Sequence, residues 1–370
     1  MIKYLFANNY KSFVNFRIDF EKNNLLLGGN GTGKSNLVSL IYRLCAFIKD
    51  NRNEAGTAFP LNSRTRWMES NIQTFELGLE SNGTEYVYHL EIEHNQENVQ
   101  SKVLNEKVKK GDQVVLDVKD GQISLYNDLS GENDMMMSNP FSSIVAYIFN
   151  DRRYKTLIEF KKCIENIVYF VPNPGQMSYI VENNVYFPTH GMSNIASLYT
   201  GLVEIIPEFQ NDFNAAMKEI NPGYIGAGSF LELNQKSFTV IYKFKDVKNS
   251  FRFDELSDGE KELFALYLIL YGYLKHGCTV LLDEPDNYLG LREIQPWCME
   301  LEDILFENGQ SIMISHHPEV IDYFTDSSGI WLSRLQSGES VVSKNPFSLP
   351  EDGKILSYSE LIARGMDEDK

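Results

Sequence analysis

Asn24-Leu-Leu-Leu-Gly-Gly-Asn-Gly-Thr-Gly-Lys-Ser35 decides how this chain is read. A short apolar run stops at a glycine cluster. Beyond it, apolar residues recur at Leu37, Leu40, Ile41, Leu44, Phe47 and Ile48. The first segment is a strand signal, and the second is helical spacing with one buried face. Residues 28–35 fit the pattern G-x-x-x-x-G-K-[ST]. Glycines there let consecutive backbone N–H groups turn inward on a phosphate, and the helix start behind them adds positive dipole. Asn30, Gly31, Thr32, Gly33, Lys34, Ser35 and Asn36 are therefore candidates for a phosphate cradle. Lys34 would reach the outer phosphates, and the Ser35 hydroxyl would ligate Mg²⁺. The alternative is a Gly-rich turn that happens to contain Lys-Ser, and the strand–loop–helix frame argues against it.

Three further segments carry chemistry. Cys278-Thr-Val-Leu-Leu-Asp-Glu-Pro285 reads as a buried parallel strand that delivers two acids to its C-terminal tip, where ligands bind in α/β sheets. Asp283 would hold Mg²⁺, and Glu284 would polarise an attacking water as general base. Leu256-Ser-Asp-Gly-Glu-Lys261 opens an apolar helix. Ser257 and Glu260 satisfy a capping box, so one reading is a well-capped helix. The other is a second anion site, with the Ser257 hydroxyl and the Gly259 N–H aimed outward at a phosphate from a helix start. Ser311-Ile-Met-Ile-Ser-His-His-Pro318 is again a strand with a polar tip. His316 directly follows the strand and is favoured over His317 as a sensor of the terminal phosphate.

Around these segments the chain is ordinary globular material. Of 370 residues, 43% are apolar and 23% charged, which excludes wholesale disorder. The net charge of −17 excludes a protein that coats nucleic acid with its whole surface, so any such contact needs a local patch. Four scattered cysteines with no C-x-x-C pair point to reduced thiols in a cytoplasmic protein. The longest apolar run, Leu263 to Leu274, is too short to span a bilayer. Strand patterns at 2–6 and 16–20 open the chain. Others at 75–79, 86–92, 114–118 and 122–126 are separated by turns at Asn82-Gly83, Gly111-Asp112 and Asp120-Gly121, and read as an antiparallel meander spanning 73–126. Residues 127–139 read as a loop, 141–166 and 192–220 as helical, 167–171 and 229–244 as strands. Trp297 reads as core packing.

The four motifs, in this order, resemble the ABC-type ATPase head. Residues 28–35 are similar to its Walker A loop, Leu256–Lys261 to its signature, Leu281–Glu284 to Walker B with the catalytic Glu, and His316 to the switch histidine. Asn9-Tyr-Lys-Ser-Phe13 resembles the N-F-x-S-F start of the RecF, SMC and OLD group. Leu256–Gly259 and Asp283-Glu-Pro-Asp-Asn287 most resemble stand-alone bacterial AAA-type ATPases of anti-phage and toxin–antitoxin operons. The resemblance implies an α/β fold, a P-loop ABC-ATPase head filling 1–370 as one domain. Within it would lie an inserted antiparallel β-meander (73–126), a helical lobe (127–222), a motif core (251–334) and a C-terminal tail (335–370).

It also implies function. ATP and Mg²⁺ would be the cofactors. A homodimer would sandwich ATP between the Walker residues of one copy and Ser257 and Gly259 of the other. Lys34, Glu284 and His316 would serve hydrolysis, and Ser35 and Asp283 the metal. A glutamine is expected between the first helix and the acidic strand; Gln176 is preferred to Gln73 on order, although either could be an ordinary surface Gln. Gly290 stands where transporters place an inter-subunit Asp. Since Asp367-Glu-Asp369 sits in the extreme tail and follows no strand, a nuclease in the same chain is not expected. The expected function is thus an ATP-driven switch that controls a separate effector, plausibly in anti-phage defence. The runner-up is a DNA repair or recombination clamp of the RecF type. It would use a basic groove drawn from Lys102, Lys107, Lys109, Lys110, Arg152, Arg153, Lys155, Lys161 and Lys162. A transporter head is disfavoured by the meander and the acidic charge, and no membrane contact is expected.

Overall fold

The computed structural model describes every residue except 96, 98, 120, 138, 183–186, 233–234, 344, 346, 348–356 and 365–370. Strands β1 (Ile2–Asn8), β2 (Phe16–Asp19) and β3 (Asn23–Leu27) open the chain, and helix α1 (Lys34–Lys49) follows the glycine cluster. After the one-turn α2 (Ala55–Ala58) come β4 (Ile72–Ser81), β5 (Thr84–Asn95), β6 (Gln100–Lys110), β7 (Gln113–Lys119), β8 (Gln122–Tyr126) and β9 (Asn133–Met137). Then follow α3 (Lys155–Glu165), β10 (Ile167–Phe170), α4 (Ile195–Ile205) and α5 (Phe209–Ile220). A three-stranded sheet, β11 (Tyr224–Glu232), β12 (Gln235–Phe244) and β13 (Val247–Arg252), precedes α6 (Asp258–Gly272). The last part alternates: β14 (Thr279–Asp283), α7 (Leu291–Glu307), β15 (Gln310–Ile314), α8 (Pro318–Ser328), β16 (Gly329–Arg334), β17 (Ser340–Ser343) and α9 (Tyr358–Ala363).

The sheet that positions the site has the order β10-β14-β15-β3-β16-β17. Its first five strands run parallel, and β17 folds back antiparallel on β16. It is buried on both faces. Leu26, Leu281, Ile312 and Ile314 pack with α1 and α3, while Leu25, Leu27, Val280, Leu282 and Met313 pack with α6, α7 and α8. That is why these strands read as unbroken apolar runs rather than alternating ones. Each fully buried Leu or Ile contributes about 1.5–3 kcal/mol relative to exposure, so the two faces hold the parallel strands in one register.

The meander shares a sheet with the chain's first strands. β1 pairs antiparallel with both β2 and β4, giving one eight-stranded sheet, β2-β1-β4-β5-β6-β7-β8-β9. It has two more strands than its apolar patterns predict. β6 carries Lys, Asn and Glu, yet buries Ser101, Val103, Glu106 and Val108 in turn. Glu106 is fully buried because Tyr88 (3.0 Å) and Ser143 (2.5 Å) donate hydroxyls to it and Ile144 its N–H (2.9 Å). β9 lies where a loop is expected, as an edge strand exposing Met135, Met136 and Met137.

Residues 127–222 are not one helical lobe. Helix occupies only 155–165 of the 141–166 stretch, after two 3₁₀ turns at Val145–Tyr147 and Arg152–Tyr154. β10 leaves that region to pair with β14, with Tyr169 opposite Leu281. The 335–370 tail contributes β17 to the central sheet and α9 against α8. Asp120 of an expected turn, residue 138 of the expected loop, and Asp367-Glu-Asp369 lie outside the described residues. All four cysteines are free thiols, and Trp297 is fully buried as expected. Among the described residues no helix is long and apolar enough to cross a membrane.

Candidate active site

The glycine cluster, the acidic tip and the histidine tip follow β3, β14 and β15, three neighbouring parallel strands, at their C-terminal ends. Gly28, Gly31 and Gly33 have φ of 129°, 81° and 108°, so the loop takes left-handed turns that β-carbons resist. A Cβ on Gly28 would meet the Leu332 carbonyl oxygen at 2.1 Å, and one on Gly33 the Phe13 ring at 3.1 Å. The Asn9–Phe13 opening is therefore the floor under the loop, and a Ser12–Ser340 hydroxyl bond of 2.7 Å braces it. On the other side there is room: nothing lies within 4 Å of a Cβ on Gly29. Thr32 is buried and its hydroxyl donates to Gly29 O (2.9 Å), whereas Asn30, Gly31, Ser35 and Asn36 are exposed. Lys34 is 7% exposed, and its ammonium donates to Gly28 O (2.5 Å) and Gly29 O (3.1 Å). Its charge thus stands at the mouth of the loop.

The Ser35 hydroxyl lies within hydrogen-bond reach of Asp283. Tyr169, on β10, donates its hydroxyl to Asp283 Oδ2 at 3.4 Å. Burial pushes the Asp283 carboxyl above its ordinary value, and the neighbouring Glu284 adds to this; the Tyr169 and Ser35 hydroxyls and His316 act the other way. A carboxylate held in that setting gains from a cation. Among the described residues no group of three His, Cys, Asp or Glu could hold a metal ion unaided. One serine, one aspartate and a phosphate loop nevertheless fit Mg²⁺, which keeps most of its waters and is held through one or two carboxylates plus phosphates.

Glu284 sits in the left-handed region with φ 48°, a strained position for a non-glycine residue. Its N–H donates to Ile314 O (2.9 Å), Asn287 donates its amide to Glu284 Oε2 (3.2 Å), and His316 Nε2 stands 3.6 Å from Glu284 Oε1. The structure thus brings together Lys34, Ser35, Asp283, Glu284 and His316. His317 instead caps α8, accepting the Glu319 N–H at Nδ1.

Ser257 and Gly259 stand apart. Ser257 caps α6: its hydroxyl donates to Glu260 Oε2 (2.7 Å) and accepts the Glu260 N–H (3.3 Å), the box read from the sequence. Ser257 is exposed, and among the described residues no hydrogen bond joins it to the glycine loop of its own chain. A Cβ on Gly259 would lie 3.1 Å from Tyr288 O, so α6 begins against the loop that follows Glu284. Among the described residues no hydrogen bond joins Gln176 to Asp283 or Glu284. Gln176 is exposed, with its side-chain oxygen 2.7 Å from where a Cβ on Gly191 would stand. Gln73 is fully buried and donates to Asn9 O (2.9 Å) and Ser63 Oγ (3.2 Å), so it is a framework residue. Gly290 caps α7. The sequence reading missed Tyr169, Asp286, Ser315 and Arg334. Arg334 has Nη1 4.0 Å from a Cβ on Gly31. Only the Ser before His316 and the Asp after Pro285 left a local signal.

No match is found among curated protein sequences. Among solved structures, the chain is similar to an SMC head bound to the C-winged helix domain of ScpA, at 15% identity and TM-score 0.55, over 92% of this chain and 97% of that one. Weaker likenesses are an SMC head domain from Thermotoga maritima (16% identity, TM-score 0.47, 92% and 98% covered) and a Pyrococcus furiosus Smc head bound to the C-terminal domain of ScpA (14%, 0.49, 98% and 98%). Residues 1–337 match the RecF/RecN/SMC N terminal domain. Heads of that group are ATPases. With most of its length so matched, the chain belongs to the RecF/RecN/SMC N-terminal domain family.

Proposed function

We propose that this protein binds and hydrolyses ATP, and that two copies close head to tail on two nucleotides to control a separate effector. The observation that carries the reading is a division of parts. Lys34, Ser35, Asp283, Glu284 and His316 gather at the C-terminal ends of the parallel strands, while exposed Ser257 and half-buried Gly259 sit on another element, with no hydrogen bond to that loop among the described residues. Backbone N–H groups of 30–36 and the Lys34 ammonium would hold the phosphates, and Ser35 and Asp283 the Mg²⁺. The ion would neutralise phosphate charge when bound. Glu284 would take the proton of the attacking water, and His316, beside it, would hold the outer phosphate oxygens. Ser257 and Gly259 of a second copy would complete the site, so that ATP favours the closed pair and its loss the open one.

The motif resemblance of Leu256–Gly259 and Asp283–Asn287 supports a setting in bacterial anti-phage defence, in the cytoplasm. The SMC head seen with a ScpA domain supports a protein as effector. The test is Ser257→Arg, read by sedimentation and phosphate release. The variant is expected to bind ATP like wild type, stay monomeric with ATP, and turn over about 10²–10³-fold more slowly. An ATP-dependent dimer of this variant would overturn the head-to-tail arrangement.

Family membership favours a second reading, the DNA clamp. Most of its basic candidates are neutralised at home. Lys102 pairs with Glu93 (2.8 Å), Lys107 with Asp117 (3.3 Å), Lys110 and Lys155 with Glu159 (3.3 and 3.8 Å), and Arg153 with Asp151 (2.7 Å). Lys161 is buried, with its ammonium on the Ala146 and Ile148 carbonyls. Lys109, Arg152 and Lys162, like Lys161, make no ion pair among the described residues. The expected result is no DNA mobility shift at physiological salt. A salt-dependent shift that vanishes on charge reversal at 107–110 would turn the conclusion to the clamp.

A further inference from the structure

The loops that carry Glu284 and His316 are joined from behind by a bond with no role so far. Ser315 donates its hydroxyl to Asp286 Oδ2 at 2.5 Å, and Ser315 Oγ in turn accepts the His317 N–H at 3.0 Å. Ser315 and Asp286 are each 2% exposed. In contrast, the neighbouring Glu284 and His316 side chains are 44% and 51% exposed and face each other at 3.6 Å. Along each loop one residue points inward to the bond and its neighbours point outward to the site. The two loops part just after β14 and β15, where Glu284 N–H reaches Ile314 O. Beyond that point no strand pairing holds 315–317 against 284–289. The Asp286 carboxylate, gripping the Ser315 hydroxyl, takes over as the tie.

We propose that Asp286 and Ser315 are positioning residues: their buried hydrogen bond fixes the 315–317 turn against the 284–289 loop and so sets His316 relative to Glu284 during turnover. The inference rests on the ATPase reading above and adds how that site is held and regulated. A hydrogen bond from a hydroxyl to a carboxylate is short and strong when water is excluded. Catalytic groups lose effectiveness steeply when misplaced by about 1 Å.

The same loop touches the signature helix. Gly259 is packed on Tyr288 O, and Glu262, fully buried with neither carboxylate oxygen hydrogen-bonded, lies in the field of Asp286. Burial, and then Asp286 and Asp258, push the Glu262 carboxyl up to about 8, so at neutral pH it stays largely uncharged behind Asp286. The loop is therefore clasped between α6 and the 315–317 turn. A shift of the α6 start, made when Ser257 meets the second copy's nucleotide, reaches Asp286 first, and Ser315 carries it to His316. In this way one site's occupancy biases the geometry of the other.

Ser315→Ala tests this with the loss of one oxygen. ATP turnover is expected to fall about 10- to 100-fold, while KM and the affinity for ATP stay within about twofold. Asp286→Ala should do the same, and the double variant should be no slower than the slower single one. Asp286→Asn keeps an acceptor oxygen and should recover most of the turnover. Wild-type turnover in Ser315→Ala, a parallel loss of ATP affinity, additive losses, or an Asp286→Asn as slow as Asp286→Ala would each overturn the proposal. Amide exchange at His317 supplies a readout that needs no turnover. It should quicken in Asp286→Ala, which leaves the Ser315 acceptor in place, and unchanged exchange would overturn the tie. Should wild type itself bind ATP yet never hydrolyse it, the ATPase reading fails alone, and His317 exchange still decides whether the tie exists.

Discussion

Glu284→Gln is expected to keep ATP bound, cut turnover by about 10²–10⁴-fold and accumulate an ATP-loaded dimer. The substitution changes charge and little else. Gln has the length of Glu, so the Asn287 amide at 3.2 Å and His316 at 3.6 Å keep a neighbour of the same shape. The left-handed backbone at φ 48° costs a Gln about what it costs a Glu, so the fold should not register the change. What disappears is the group able to accept a proton from water, and with it a negative charge beside Asp283. That charge helps hold the Asp283 carboxyl above its ordinary value. Its removal takes one negative charge away from the place where the triphosphate would lie, so ATP should bind no more weakly than to wild type. The measurements are phosphate release and sedimentation with ATP. Wild-type turnover in Glu284→Gln would remove Glu284 from the role of base, and a monomer that binds ATP but never pairs would remove ATP as the glue.

The site was legible where its chemistry is local in sequence. Gly28–Ser35 announces a loop because glycines, a Lys and a Ser must be adjacent to wrap a phosphate. Asp283 and Glu284 stand out because they end a run that is buried on both faces. His316 and Ser257 could be named for the same reason, each at the tip of a strand or the start of a helix. What stayed hidden depends on elements far apart in the chain. Tyr169 reaches Asp283 only because β10 pairs with β14. Arg334 nears Gly31 only because β16 pairs with β3. Phe13 and Ser340 floor the loop from opposite ends of the sequence. Gln176 was preferred on order, and the turn after β10 sets its side-chain oxygen beside Gly191.

Secondary structure followed the same logic. β6 escaped notice because the residues it buries include Ser101 and Glu106, and a buried Glu with three donors carries no apolar signature. β9 escaped because Met-Met-Met after Asn-Asp does not alternate, and an edge strand need not. The helical pattern over 141–166 overran its helix because Ile144, Val145 and Ala146 are buried around the 3₁₀ turn Val145–Tyr147 rather than along a helix face.

Lys34→Ala should abolish ATP binding while leaving the protein folded, and the two halves of that statement have separate physical grounds. The Lys34 ammonium rests on Gly28 O and Gly29 O. Those carbonyls are half-exposed, so water can replace the lost donor. Position 34 opens α1, where Ala is at least as good a helix former as Lys. Unliganded stability should therefore move by less than about 1 kcal/mol. With triphosphate present the accounting differs, because a charge-assisted contact contributes about 1.5–3 kcal/mol per bond and Lys34 can make several. Affinity should fall by about 10²-fold or more. Thermal melting separates the two. Wild type should gain about 2.7 kcal/mol of stability at ATP near 100 times Kd, whereas Lys34→Ala should gain no more than about 0.4 kcal/mol at the same ATP concentration. Paired with Glu284→Gln, the variant also decides what joins the copies. One substitution should give a dimer that does not come apart, the other a monomer that never pairs. If Lys34→Ala still showed the ATP-dependent shift, phosphates would be held elsewhere than in residues 28–36. The roles given to Ser35, Asp283 and Ser257 would then fall together, since each is defined by where the triphosphate lies.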